Sequence, residues 1–216
     1  AQQRYPADST GHGTLVAGLL VGGLIDDTPI GVAPRARWIA ARLFDDAGQG
    51  RASAVQRIYQ WVLDPDGDPA TPDAPDIVNN SWGLPQSAGQ CDTSFARALA
   101  ALRAADIHVV FAAGNDGPAA NTSMSPANNP GVLAVGALNP DRSIAERSSR
   151  GPSGCGGGPF PSLYAPGVNL PALDRIAASI GGAALADGTS FAAAAVSGAL
   201  ALLRSARPEA GMAEVE

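Results

Sequence analysis

The chain has 216 residues, enough for one sizeable domain with a buried core. Hydrophobic residues make up 45 % and charged residues 16 %, aromatics are scarce at 5 %, and the formal net charge is −6. This is a globular composition with a core of small side chains; the lack of any basic run argues against a nucleic-acid partner, and apolar runs shorter than the roughly 20 residues a bilayer requires argue against a membrane span.

In chain order, residues 1–13 are polar and turn-like, and 14–24 read as a helix of small and aliphatic residues closed by Gly22-Gly23. The apolar run 37–44 (RWIAARLF) reads as a buried strand. Val55, Ile58, Tyr59 and Val62 recur at helical spacing and predict an amphipathic helix over 52–63. The Pro-rich acidic segment 64–76 is a loop, and 77–82 is a strand running into Gly83. A helix over 94–105 precedes strands at 107–113 and 132–137. After a Gly/Pro/Ser-rich stretch comes a short strand at 163–165; 175–178 and 183–186 around Gly181-Gly182 suggest a hairpin, and 191–204 is the last helix. Strands alternating with helices predict an α/β domain, a mostly parallel central sheet flanked by helices in three layers, with ligands beyond the carboxyl ends of the strands.

Three side chains stand at junctions between these elements. Ser190 lies in Gly188-Thr189-Ser190 at a helix start, where the helix N-terminus favours developing negative charge, although Thr-Ser there is also an ordinary cap. His12, in Gly11-His12-Gly13-Thr14, is at another helix start, whereas His108 sits inside an apolar strand. Asn115 ends the strand 107–113 in Gly114-Asn115-Asp116-Gly117, which is also a plain turn sequence. A hydroxyl, an imidazole and a carboxamide are a nucleophile, a base and an oxyanion donor for acyl transfer. Cys91 and Cys155 fit one disulfide as well as two free thiols. The segment Asp64-Pro65-Asp66-Gly67-Asp68 faintly resembles a calcium loop but lacks the acidic residue that closes one.

Taken together and in order, the segments GHGTLVAG (11–18), GVAP (31–34), NSWG (80–83), AAGN (112–115), VLAVGA (132–137), SSRGP (148–152), APG (165–167) and GTS (188–190) resemble the subtilisin-like serine proteases, the subtilases. The resemblance implies a subtilisin-like catalytic domain over 1–216. Ser190 is then the nucleophile, His12 the base, and Asn115 with the Ser190 amide the oxyanion site. The substrate is an extended protein or peptide lying along Ser81, Trp82 and Gly83. Ala113 and Gly114 form the opposite wall of the pocket for the residue before the cut, and Asp116 its rim. Small residues on that wall leave room for a large apolar side chain. The resemblance also implies secretion, or a place in the cell envelope, of a bacterium. No cofactor is expected; a structural calcium is conceivable, but the loop at 26–30 is shorter than the family's common calcium loop, so no metal ligands are assigned.

Two further features depart from the family. Its catalytic Asp precedes the His on a strand ending in Asp-Ser/Thr-Gly, and the sole Asp before His12 is Asp8, in the loop leading to it. The expectation is that an upstream segment of the same protein carries the first strand and its Asp, because a parallel sheet lacking a central strand leaves backbone groups unpaired. The rival is a catalytically impaired subtilase-like scaffold that binds extended peptides. Ala194 and Ala195 also stand where Pro-His is usual, which alters helix packing more than chemistry.

Overall fold

The structure is a computed structural model that describes residues 8–25, 27–173 and 184–216. Ile77–Asn80 (β3), His108–Ala112 (β4), Leu133–Leu138 (β5) and Leu163–Pro166 (β6) form a sheet in that order, every pair parallel. Parallel neighbours need crossovers, and Ala96–Ala104 (α3) supplies the one from β3 to β4. All five residues of β4 are buried, so it reads as an unbroken apolar run apart from its first residue, His108. Alternate side chains still serve opposite layers. Val109 and Phe111 pack with Val55, Tyr59 and Val62 of Ala52–Leu63 (α2) and with Leu99 and Leu102 of α3. Val110 and Ala112, with Val135 and Ala137 of β5, pack under Ala192, Ala193 and Leu200 of Thr189–Ala206 (α4). This is the three-layer α/β architecture that the sequence implies.

The alanines of α4 let the helix lie close on the sheet. By length and composition this helix could cross a membrane, but half of it is buried in the protein as a core helix. His12–Val21 (α1) packs beside it, Val16 and Leu19 meeting Phe191 and Ala194. The helix begins two residues before the predicted start because Asp8 organises its first turn: Oδ1 accepts from the Gly11 amide (2.9 Å) and Oδ2 from the amide and hydroxyl of Thr14 (both 2.8 Å). It ends before Gly22, and Leu24–Ile25 (β1) turns back on Thr28–Pro29 (β2). A second hairpin joins Leu170–Ala172 (β7) to Ala184–Ala186 (β8). The expected hairpin arm at 175–178 lies outside the described residues. Met212–Val215 (α5) ends the chain's regular structure.

One predicted element is absent. Residues 37–44 form no strand; Phe44 alone makes a bridge, to Gly50, and Trp38, Ile39 and Phe44 are 59 %, 49 % and 40 % exposed. An apolar run becomes a strand only where a neighbouring edge takes its N–H and C=O groups. Among the described residues β3 pairs with β4 alone, so its outer edge is open, and the run 37–44 does not lie in pairing register with it.

Candidate active site

The carboxyl ends of β3 and β4 meet the N-terminus of α4. The register runs Ile77 opposite His108 to Asn80 opposite Phe111, and the strands part just beyond it. Buried Asn80 holds that point together: its Oδ1 accepts from Tyr59 Oη (2.8 Å) and Trp82 Nε1 (3.2 Å), and its Nδ2 donates to the Val110 carbonyl (3.2 Å). Trp82 is thereby turned into the protein, edge-on to Phe95 and Phe111 at 5.8 and 5.6 Å between ring centroids. Its neighbour Ser81 faces α4, its Oγ donating to the Ser190 carbonyl (2.8 Å).

Ser190 is 9 % exposed in the first turn of α4, and its Oγ lies 3.5 Å from the Ser81 carbonyl. No side chain caps this helix. Its first amide, that of Thr189, donates instead to Asn115 Oδ1 (3.0 Å), and the Thr189 hydroxyl donates to the same oxygen (3.1 Å) while accepting from the Gly114 amide (3.2 Å). Two donors on one atom identify it as the amide oxygen. Asn115 Nδ2 is therefore left to donate, and among the described residues the Ser190 amide donates to no protein group. Gly188 (φ +129°) keeps the approach open: a Cβ there would lie 3.4 Å from both polar atoms of the Asn115 amide. Below, the Ser149 amide donates to the Gly114 carbonyl (2.9 Å), and Ser149 Oγ accepts from the amide of exposed Asp116 (3.2 Å).

His12 stands in the first turn of α1, its ring centroid 5.9 Å from that of Phe191, the residue after Ser190. The structure thus brings His12, Ser190, Asn115 and Ser81 to one place. His12 is exposed, and no hydrogen bond joins its ring to Ser190 Oγ among the described residues. Loss of water around the ring lowers its pKa below the usual imidazole value, against the opposing pull of Asp8. Asp8 itself is committed to the turn before α1. Burial raises its pKa, but hydrogen bonds from Thr14, Gly11 and Thr10 outweigh that and bring it down to about 2. His108 is remote in role, fully buried with Nδ1 3.1 Å from Glu216 Oε1.

Three features were invisible in the sequence. Thr189 orients the Asn115 amide, a contact spanning 74 residues. Cys91 and Cys155 are joined, tying the loop before α3 to the Gly-rich loop; Asn128 links the same parts, donating to the Gln90 carbonyl (2.7 Å), and the Gly154 amide donates to Ser123 Oγ (2.8 Å). The third is Met124: its side chain, 8 % exposed, lies against Gly114. Away from the site, oxygens of Asp64, Asp66 and Asp73 lie within 4.8 Å of one another, and Asp73 Oδ2 accepts from the Asp66 amide. This acidic loop precedes the amino end of β3, opposite the end that carries Ser81.

The profile described as Subtilase family matches residues 1–216. Bacillopeptidase F of Bacillus subtilis (strain 168) is 37 % identical over 233 aligned residues, which cover 100 % of this chain and 15 % of that protein. Subtilisin DY of Bacillus licheniformis is 32 % identical, covering 99 % of this chain and 70 % of its own. Among solved structures, a cold adapted subtilisin-like serine proteinase superposes with a TM-score of 0.76 at 25 % identity, over 97 % of this chain and 66 % of that one. The protease PagA, a prenylagaramide maturation protease, superposes at 0.74 and 28 % identity, over 92 % and 65 %.

Proposed function

Because this chain belongs to the subtilase family, we propose that it is the Ser- and His-bearing part of a serine endopeptidase. The observation that carries the reading is the pair of unused donors, Asn115 Nδ2 and the Ser190 amide, beside the Ser190 hydroxyl at a helix N-terminus. Ser190 Oγ attacks the carbonyl carbon of the scissile bond and its proton passes to His12. The two donors take up the charge on the carbonyl oxygen. The imidazolium then protonates the leaving amine, and water, deprotonated by His12, releases the acyl group. The substrate is an extended protein or peptide running past Ser81 and Gly83, its backbone paired as an added strand.

A base of this kind needs a carboxylate to orient it, and Asp8 is occupied at the helix start. The open outer edge of β3, which leads to Ser81 and so to Ser190, supports an upstream extended segment of the same protein pairing there and bringing the acid. The disulfide supports a secreted or envelope location. The committed Asp8 also favours the rival, a scaffold that binds peptides and cleaves poorly. One experiment separates them: treatment with a serine-directed phosphonate, with and without the native upstream segment. Label on Ser190, lost in Ser190→Ala, and peptide turnover that rises on adding the segment support the protease. Label on another serine with Ser190 intact refutes the assignment, and labelling of Ser190 without turnover in the full-length protein favours the scaffold.

A further inference from the structure

Gly83 and Gly114 stand equally far past the last register pair of β3 and β4, where the two chains have diverged. Between them lies the Met124 side chain, and Ser149 Oγ also borders Gly114, 2.7 Å from where a Cβ would fall. A Cβ on Gly83 would fall 2.4 Å from Met124 Sδ and 3.1 Å from its Cγ; a Cβ on Gly114 would fall 3.2 Å from Met124 Cε. The thioether therefore reaches from one bare backbone to the other and fills the slot. The slot opens on the nucleophile, since Gly114 donates to Thr189 and Ser81 exchanges contacts with Ser190.

The main chain around Met124 is fixed. The Leu84 amide donates to the Ser125 carbonyl (2.9 Å), the Gly89 amide to the Ser123 carbonyl (2.8 Å), and the Asn128 amide to the Met124 carbonyl (3.0 Å). The Ser125 amide donates to Ser87 Oγ (2.9 Å). Only the unbranched side chain is free to adapt.

We infer that Met124 is the floor of the pocket for the residue before the cut and restricts it to small side chains such as Ala, Gly or Ser. This rests on the protease reading above. An aromatic side chain would have to displace the thioether from contacts with both strands, whereas a methyl group would not.

The test uses the full-length protein and matched chromogenic peptides that differ only in Ala or Phe before the cut. The wild type should favour Ala by at least about tenfold in kcat/KM, since even one methylene's misfit in an apolar pocket is worth roughly 10–200-fold. Met124→Ala should move the Phe-to-Ala ratio by a factor in that same range toward Phe, and Met124→Leu, which keeps the bulk, should hold the wild-type ratio. A wild type that prefers Phe overturns the inference, whether or not Met124→Ala folds. So does a Met124→Ala protein, folded by its melting curve, whose ratio is unchanged. If no peptide is cut and Ser190 takes no phosphonate, the protease reading itself fails and this inference with it; a labelled Ser190 with Phe preferred refutes only the role of Met124.

Discussion

The runs 37–44 and 107–113 are both apolar and both read as buried strands, yet only the second became one. Phe111, Val109 and Val110 on β4 are 0 % exposed, while Trp38 on the other run is 59 % exposed. The first run carries Arg37 and Arg42 where the second has no arginine, and their neighbours differ as well. The second run has β3 on one side and β5 on the other, and helices above and below. The first faces a sheet whose outer edge stays unpaired among the described residues. Hydrophobicity nominates a strand, and hydrogen-bonding partners on its edges decide whether it forms.

That comparison can be broken most directly by truncation. Phe111→Ala should cost about 3–5 kcal/mol of stability in the 216-residue chain, whereas Trp38→Ser should stay within about 0.5 kcal/mol, both read from denaturant midpoints. Equal losses would show that 37–44 is packed and would erase the contrast. Adding the upstream segment should make the Trp38 substitution costly, if a new strand at the β3 edge gives the run something to pack against.

The well-paired region also carries the proposed oxyanion donor. Asn115 hangs from the end of β4, so Asn115→Ala should lower kcat of the complete enzyme by about 10²–10³-fold with KM little changed, the range for one oxyanion donor, for which subtilisin is itself the reference case. An effect confined to KM would make Asn115 a binding or turn residue.

A smaller loss than that at Phe111 belongs to the sparsely paired side. Asp8→Ala should destabilise the chain by about 1 kcal/mol at neutral pH, as for other lost helix caps. The folded pKa of Asp8, about 2, lies below its ordinary 3.8. Its contribution is therefore fully present above the ordinary value and fades as pH falls through 2. Wild type and variant should converge in stability in strong acid; a gap that persists there would mean that Asp8 acts by packing and not by charge.

Much of this was legible in the sequence. The helix over 52–63 and the apolar runs of β4 and β5 declare themselves by period and length, and Ser190, His12 and Asn115 could be singled out because each stands where a glycine marks the junction of two elements. What was not legible depends on contacts far apart in the chain. The hold of Thr189 on Asn115 spans 74 residues and the disulfide 64, and no local pattern encodes either. Met124 gave no signal for the same reason: it is an ordinary apolar residue in a loop, and only the meeting of Gly83 and Gly114 around it gives it a role.

The bond between Cys91 and Cys155 encloses α3, β4, Asn115, Met124 and β5 in a single covalent ring. Residues 118–121, exposed just past Asn115, offer a protease an easy target. A cut there opens the ring but does not release a piece: both halves stay tethered through the sulfur bridge, and the β3–β4–β5 ladder holds them in place. Proteolysis at this loop would leave the two halves in one molecule, heavier only by the water taken up at the cut, until a reductant is added, when two fragments would separate.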